Sequence, residues 1–143
     1  MKKLLFFIFL FFFSINVNAK TITVKFKSCS DGDTAHFTYN TEDIKARFIG
    51  IDTPELKHDN QEYEYYANEA KDYTCNKLKE AKVIKLEYDD KAGEKDKYER
   101  HLVYVWIDNT LLNEDLIFNG YAEAKYIYDN YKYKDRIINK DKM

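Results

Sequence analysis

From Thr21 onward, apolar and polar residues alternate. Ile22, Val24 and Phe26 interleave with Thr23 and Lys25, which predicts a half-buried strand over Thr21 to Phe26. Asp31-Gly32-Asp33 is a turn signal. Thr34 to Tyr39 resumes as a second strand, with Phe37 and Tyr39 on one side. Asn40 to Asp43 turns again, and Ile44 to Ile51 predicts a third strand. That strand cannot run far beyond, because Pro54 has no amide to give a ladder and disfavours helix at Thr53. Three short strands joined by tight turns make a meander.

Leu56 to Tyr65 is polar and without period, which predicts a loop running into a helix. Tyr66, Ala67, Ala70, Tyr73, Thr74, Lys77 and Leu78 then recur at intervals of three and four, giving a helix from about Tyr66 to Ala81. Lys82 to Tyr88 and His101 to Ile107 read as two further strands, separated by a charged turn with Gly93. Leu111 to Asn119 predicts a short helix, stopped by Gly120 just past its end. Tyr121 to Tyr128 reads as extended or irregular, and Lys132 to Lys140 as a last helical turn or two. The order suits an α+β chain that is mainly β: a five-stranded OB-fold barrel with two to three helices.

The N-terminus belongs outside that domain. Lys2 and Lys3 precede an unbroken apolar run from Leu4 to Phe13, and Val17-Asn18-Ala19 offers a cleavage site. This tripartite pattern predicts a cleaved signal peptide over residues 1–19 and one domain over 20–143, secreted or periplasmic. An uncleaved anchor is the alternative, although the run is short for a membrane span. Loss of Lys2 and Lys3 takes 23 basic against 25 acidic residues to 21 against 25, a formal net charge of −4. An acidic domain has no general pull towards nucleic acid, so polyanion binding must come from a local cluster or a bound cation. Cys29 and Cys75, the two cysteines, either form a disulfide in an oxidising compartment or pack as two small hydrophobes. They and the three histidines show no zinc-site spacing.

Chemistry gathers in three segments. Arg47 and the run Ile51-Asp52-Thr53-Pro54-Glu55 lie on the third strand and its exit, Asp31-Gly32-Asp33-Thr34 between the first two strands, and Asp96-Lys97-Tyr98-Glu99-Arg100 ahead of the last barrel strand. Carboxylate oxygens bind hard cations or move protons, and guanidinium grips phosphate. In this order the segments resemble the thermonuclease family, also called staphylococcal-nuclease-like or micrococcal nuclease, over nearly the whole domain up to about Tyr128. The resemblance implies a Ca²⁺ held by Asp33, Asp52 and the Thr53 carbonyl, with Glu55 orienting or deprotonating the attacking water. It implies that Arg47 and Arg100 grip the phosphodiester, that Lys97 and Tyr98 touch a neighbouring phosphate, and that Tyr126 and Tyr128 flank the base. The implied activity is hydrolysis of DNA and RNA, single strands preferred and without sequence specificity, leaving 3′-phosphate ends. The implied enzyme is a monomer with no membrane association after cleavage.

Each segment has a plainer reading. Asp-Gly-Asp is an ordinary hairpin turn, Asp-Thr-Pro-Glu an ordinary helix or turn opener, and Asp96 to Arg100 a solvated charge run. A non-catalytic OB-fold module binding oligonucleotides is the competing function; it would need the aromatics and arginines without the carboxylates. A third is a structural domain retained at the envelope by its apolar N-terminus. The chain also departs from the family's pattern. Glu99 stands where glycine is usual and is expected to pair with Arg100 or Lys97. His101 stands where a small residue is common. The Leu56–Tyr65 loop carries Asp59, Glu62 and Glu64 in place of lysines, which weakens encounter with nucleic acid. The short C-terminal helix is expected to pack incompletely beneath the barrel.

Overall fold

The alternating segments wrap into a closed barrel in the computed structural model, which describes Ile8, residues 20–55 and residues 65–142. Residues 1–7, 9–19, 56–64 and 143, which include most of the expected signal peptide and the acidic stretch, lie outside the described residues. In chain order the elements are β1 (Thr21–Asp31), β2 (Thr34–Tyr39), β3 (Glu42–Phe48), β4 (Ile51–Asp52), α1 (Ala67–Glu80), β5 (Ile84–Glu87), β6 (His101–Ile107), β7 (Thr110–Leu111), α2 (Leu112–Phe118), β8 (Glu123–Ala124) and α3 (Lys134–Asp141). Five strands run in the order β3-β2-β1-β5-β6. A parallel pairing of β3 with β6 closes the ring, with Ala46 beside His101 and Phe48 beside Val103. This is the expected OB-type barrel in an α+β chain.

The first strand is longer than its alternation predicts because it serves two neighbours. Thr21 to Val24 pair with β5, and Lys25 to Asp31 pair with β2. Its register slips between Phe26 and Ser28 and again between Cys29 and Asp31. Such irregularities add the bend that a small barrel needs. The third strand is shorter than expected. It ends at Phe48, since Gly50 takes a left-handed conformation (φ 77°) that turns the chain. Ile51 and Asp52 then pair with Glu123 and Ala124 instead of extending β3.

Inward residues of the strands, among them Phe37, Ala46, Phe48, Leu86, Val103 and Val105, fill the barrel. Ala67, Ala70, Thr74 and Leu78 form the buried stripe of α1, as their spacing predicts. Cys29 and Cys75 are disulfide-bonded, with Cα atoms 5.8 Å apart, so the choice between bridge and packed thiols resolves as a bridge between β1 and α1. Closing a separation of 46 residues contributes about 4 kcal/mol on the loop-entropy estimate. The short C-terminal helix packs well: Ile137 is fully buried and meets the chain at Gly50 together with Ile127. Among the described residues no helix is long and apolar enough to cross a membrane.

Candidate active site

Asp33 lies at the turn out of β1, and its carboxylate is buried. The turn is held from below: Thr74 of α1 donates its hydroxyl to Gly32 O at 2.6 Å. Gly32 packs so closely on Thr53 and Ala70 that a Cβ there would come within 2.9 Å of Thr53 Oγ1. The carboxylate itself accepts from the Thr34 hydroxyl (3.0 Å) and from the Thr53 amide (3.0 Å). The second bond ties the first acidic segment to the strand exit that carries Asp52.

Arg47 joins the two acids. Its Nη1 donates to the carbonyls of Phe48 (2.8 Å) and Ile51 (2.9 Å), which folds the guanidinium over the Gly50 turn. Its Nη2 lies 3.2 Å from Asp33 Oδ2 and 3.3 Å from Asp52 Oδ1. One nitrogen shared by two carboxylates confines those oxygens to a small volume. Asp52 meets a second cation, Lys125, at 3.4 Å through Oδ2. Lys125 is carried there by the β4–β8 pairing, and the nearby Asp52 carboxylate raises its pKa. Glu55, one residue past Pro54, is exposed.

The other half of the site arrives across the barrel seam. Arg100 immediately precedes β6, whose first residues pair with Ala46 to Phe48. At ordinary strand spacing its Cα lies about 8 Å from that of Arg47. Arg100 is anchored by Asp96, through Nε at 2.7 Å and through its amide at 3.0 Å. Burial alone raises the Asp96 carboxyl; the Arg100 amide and guanidinium and the Tyr98 amide outweigh it and hold the group below the usual carboxylate value. The acid on Arg100 is therefore Asp96, and the expected pairing of Glu99 with Arg100 or Lys97 does not occur. Glu99 sits in the left-handed region (φ 62°), where the preference is for glycine, and reaches Lys95 at 3.5 Å. His101 turns away as well, to the Tyr88 hydroxyl at 2.7 Å. Tyr98 is exposed and lies under both Lys97 and Arg100, at 5.0 and 5.4 Å from its ring centre.

Tyr126 and Tyr128 are exposed on the segment that leaves β8. Because β8 pairs with β4, this segment starts beside Asp52. Tyr126 has a left-handed backbone (φ 53°), and Tyr128 packs edge-on against Tyr131. Asp33, Asp52, Thr53 and Arg47 are thus in direct contact, with Arg100, Lys97 and Tyr98 approaching over the seam and the two tyrosines over the β4–β8 ladder. The motifs did not disclose Lys125, which lies inside an aromatic run, or the Thr74 and Gly32 contacts, which join α1 to a turn distant in sequence. The four-residue spacing of Asp96 and Arg100 was the one local clue to their pairing.

The donor set can be tested against the implied cation. Asp33 and Asp52 supply hard carboxylate oxygens from two chain segments, a donor type that suits Ca²⁺ better than zinc. Thr53 Oγ1 is a buried hydroxyl without a hydrogen-bond partner among the described residues, and the amide of the same residue donates to Asp33. Among the described residues no three His, Cys, Asp or Glu side chains gather as ligands; Asp33 and Asp52 are brought together through Arg47. The residues fit a Ca²⁺ site with few protein ligands.

Comparison with known proteins identifies the family. The family model described as staphylococcal nuclease homologue matches residues 45–142, a span that holds every site residue above except the Asp33 turn and its Thr74 support's partner Gly32. The thermonuclease of Staphylococcus hyicus is 43% identical over 107 residues, covering 75% of this chain and 62% of that protein. The thermonuclease of Staphylococcus intermedius is 38% identical over 108 residues, covering 76% and 62%. Endonuclease YncB of Bacillus subtilis is 36% identical over 107 residues, covering 74% and 50%. The match spans less than two thirds of each of these relatives. The chain belongs to the staphylococcal nuclease homologue family.

Proposed function

We propose that the protein is an exported, Ca²⁺-dependent nuclease that hydrolyses DNA and RNA phosphodiesters and leaves 3′-phosphate ends. The observation that carries this reading is Arg47 Nη2 shared between Asp33 and Asp52: two acids and a phosphate-binding cation converge from separate segments. Asp33, Asp52 and the Thr53 carbonyl hold the ion, which when bound supplies Lewis-acid polarisation of the phosphate. Glu55 takes a proton from the attacking water. Arg47 and Arg100 neutralise the charge that builds on the phosphoryl oxygens, and guanidinium planes suit that task. Lys97 and Tyr98 hold a neighbouring phosphate, and Tyr126 and Tyr128 stack bases irrespective of sequence, which favours single strands. The leader pattern at residues 1–19 supports export to the periplasm or medium, and the Cys29–Cys75 bridge suits an oxidising compartment. The enzyme acts as a monomer, free of the membrane once the leader is removed.

Incubation of residues 20–143 with single-stranded DNA in Ca²⁺ or in EGTA tests the reading. Cleavage only in Ca²⁺, with 3′-phosphate products, is expected; equal cleavage in both, or none in Ca²⁺, refutes it. Glu55→Gln should bind Ca²⁺ normally and lose at least about a hundredfold in kcat. Full activity in that variant would remove Glu55 from the chemistry. The engagement of Arg100 Nε by Asp96 favours a second reading, a module that binds oligonucleotides without cutting them. DNA retained on the protein in Ca²⁺ without cleavage would select it.

A further inference from the structure

Among the described residues, Lys125 is the one cation found on a proposed metal ligand that no motif announces. Its Nζ lies 3.4 Å from Asp52 Oδ2, 3.8 Å from Glu123 Oε1 and 5.3 Å from the centre of the Tyr126 ring. Its backbone is fixed: the Lys125 amide donates to Gly50 O at 3.0 Å, and the two preceding residues pair with Asp52 and Ile51. The ammonium end is free to move, with the side chain 45% exposed. An exposed ion pair of this length contributes little to folding. Its interest lies in the acid it occupies. The two Asp52 oxygens are divided between two cations, Oδ1 on Arg47 and Oδ2 on Lys125. A divalent ion that binds Asp52 must therefore contend with Lys125 for the carboxylate. The contact is longer than a tight charge-assisted bond of about 2.8 Å, which makes it exchangeable.

We propose that Lys125 is an exchange residue: the resident counter-ion of Asp52, displaced by the divalent cation and thereby released to bind a phosphate of the nucleic acid. The second half follows from placement. Lys125 adjoins Tyr126, and the β8 ladder holds the pair at the Asp52 edge, so the freed ammonium lies between the ion and a base stacked on that ring. Lysine serves there as a mobile point charge on a flexible stem. Metal and phosphate binding are then coupled, because the lysine reaches phosphate only when the ion holds Asp52. By linkage the coupling acts equally in both directions. This inference rests on the metal-dependent reading above.

Lys125→Met and Lys125→Arg, made in residues 20–143, separate the two. Ca²⁺ alone is titrated calorimetrically, and then thymidine monophosphate with and without saturating Ca²⁺. Lys125→Met should bind Ca²⁺ about three- to fivefold more tightly, the range set by an exposed pair, while Lys125→Arg stays near wild type. Thymidine monophosphate should bind Lys125→Met several-fold more weakly in Ca²⁺ and as wild type without it. Unchanged or weaker Ca²⁺ binding in Lys125→Met, with wild type binding Ca²⁺, overturns this inference alone. So does a nucleotide penalty that is the same without Ca²⁺. Absence of Ca²⁺ binding in wild type overturns the nuclease reading together with it. Circular dichroism of each variant confirms folding, and recovery of wild-type affinities in Lys125→Arg excludes a merely structural effect.

Discussion

Replacing Arg47 by glutamine removes the centre of the acid cluster, because the shorter side chain ends where the arginine Nε lies and all four contacts run through Nη1 and Nη2. The guanidinium donates to two backbone carbonyls, at 2.8 and 2.9 Å, and pairs with Asp33 and Asp52. The Arg47 side chain is 13% exposed and the Asp33 side chain 7%. Each bond from a charged donor contributes about 1.5–3 kcal/mol. Stripping one partner from a buried pair costs about 3–5 kcal/mol. Asp33 keeps the Thr34 hydroxyl and the Thr53 amide, and Asp52 keeps Lys125, which holds the total to the middle of that range, at about 4 kcal/mol. That is a large share of a domain's usual margin of about 5–15 kcal/mol. Ca²⁺ supplies the missing positive charge, so the variant binds it more tightly than wild type. Each tenfold gain in affinity narrows the stability gap by about 1.4 kcal/mol at saturating ion. Urea denaturation with and without Ca²⁺, followed by the fluorescence of Trp106, the chain's single tryptophan, measures both quantities. A loss below about 1 kcal/mol, or Ca²⁺ protection equal in the two proteins, would refute the argument.

Gly32→Ala drives a methyl group against Thr53 and against Ala70 Cβ at 3.0 Å; we expect about 1–3 kcal/mol of destabilisation and weaker Ca²⁺ binding as the Asp33 turn shifts, and wild-type Ca²⁺ affinity by calorimetry would contradict this. His36 and His101 both titrate below 6.5, first through burial and then through Lys45 and Lys27 beside His36 and Lys95 beside His101. Their neutral forms are the folded ones, so the stability they contribute is full above the unfolded value of 6.5 and is lost as pH falls through the folded values. Urea midpoints at about pH 7.5 and 5.5 should fall towards acid, and His101→Gln should lessen the fall; an unchanged slope would show that His101 does not contribute.

The barrel was legible because its strands are half-buried and alternate. Thr34 to Tyr39 and His101 to Ile107 have the boundaries that their pattern predicts. The break after Phe48 was hidden because Ile49 and Ile51 continue the apolar run on both sides of Gly50, and the conformation of one glycine decides the turn. The acids and arginines of the site were legible because each carries chemistry in a tight local segment. Their partners were less so. Asp96 takes Arg100 because Glu99 adopts a left-handed backbone that returns the chain on itself, and composition cannot distinguish one neighbouring acid from another. Lys125 reaches Asp52 only through a two-residue ladder between remote segments, a contact with no signal along the chain.

The parallel seam between Ala46–Phe48 and His101–Val103 has a consequence in time. Its two edges are far apart in sequence, and non-local pairings of this kind carry a loop-closure cost that slows folding. Arg47 stands on one edge and Arg100 beside the other. A nascent or export-held chain therefore contains every reactive side chain and yet no phosphate grip. On the proposed export and activity, the pairing that closes the barrel is also the one that brings Arg47 and Arg100 to the same edge.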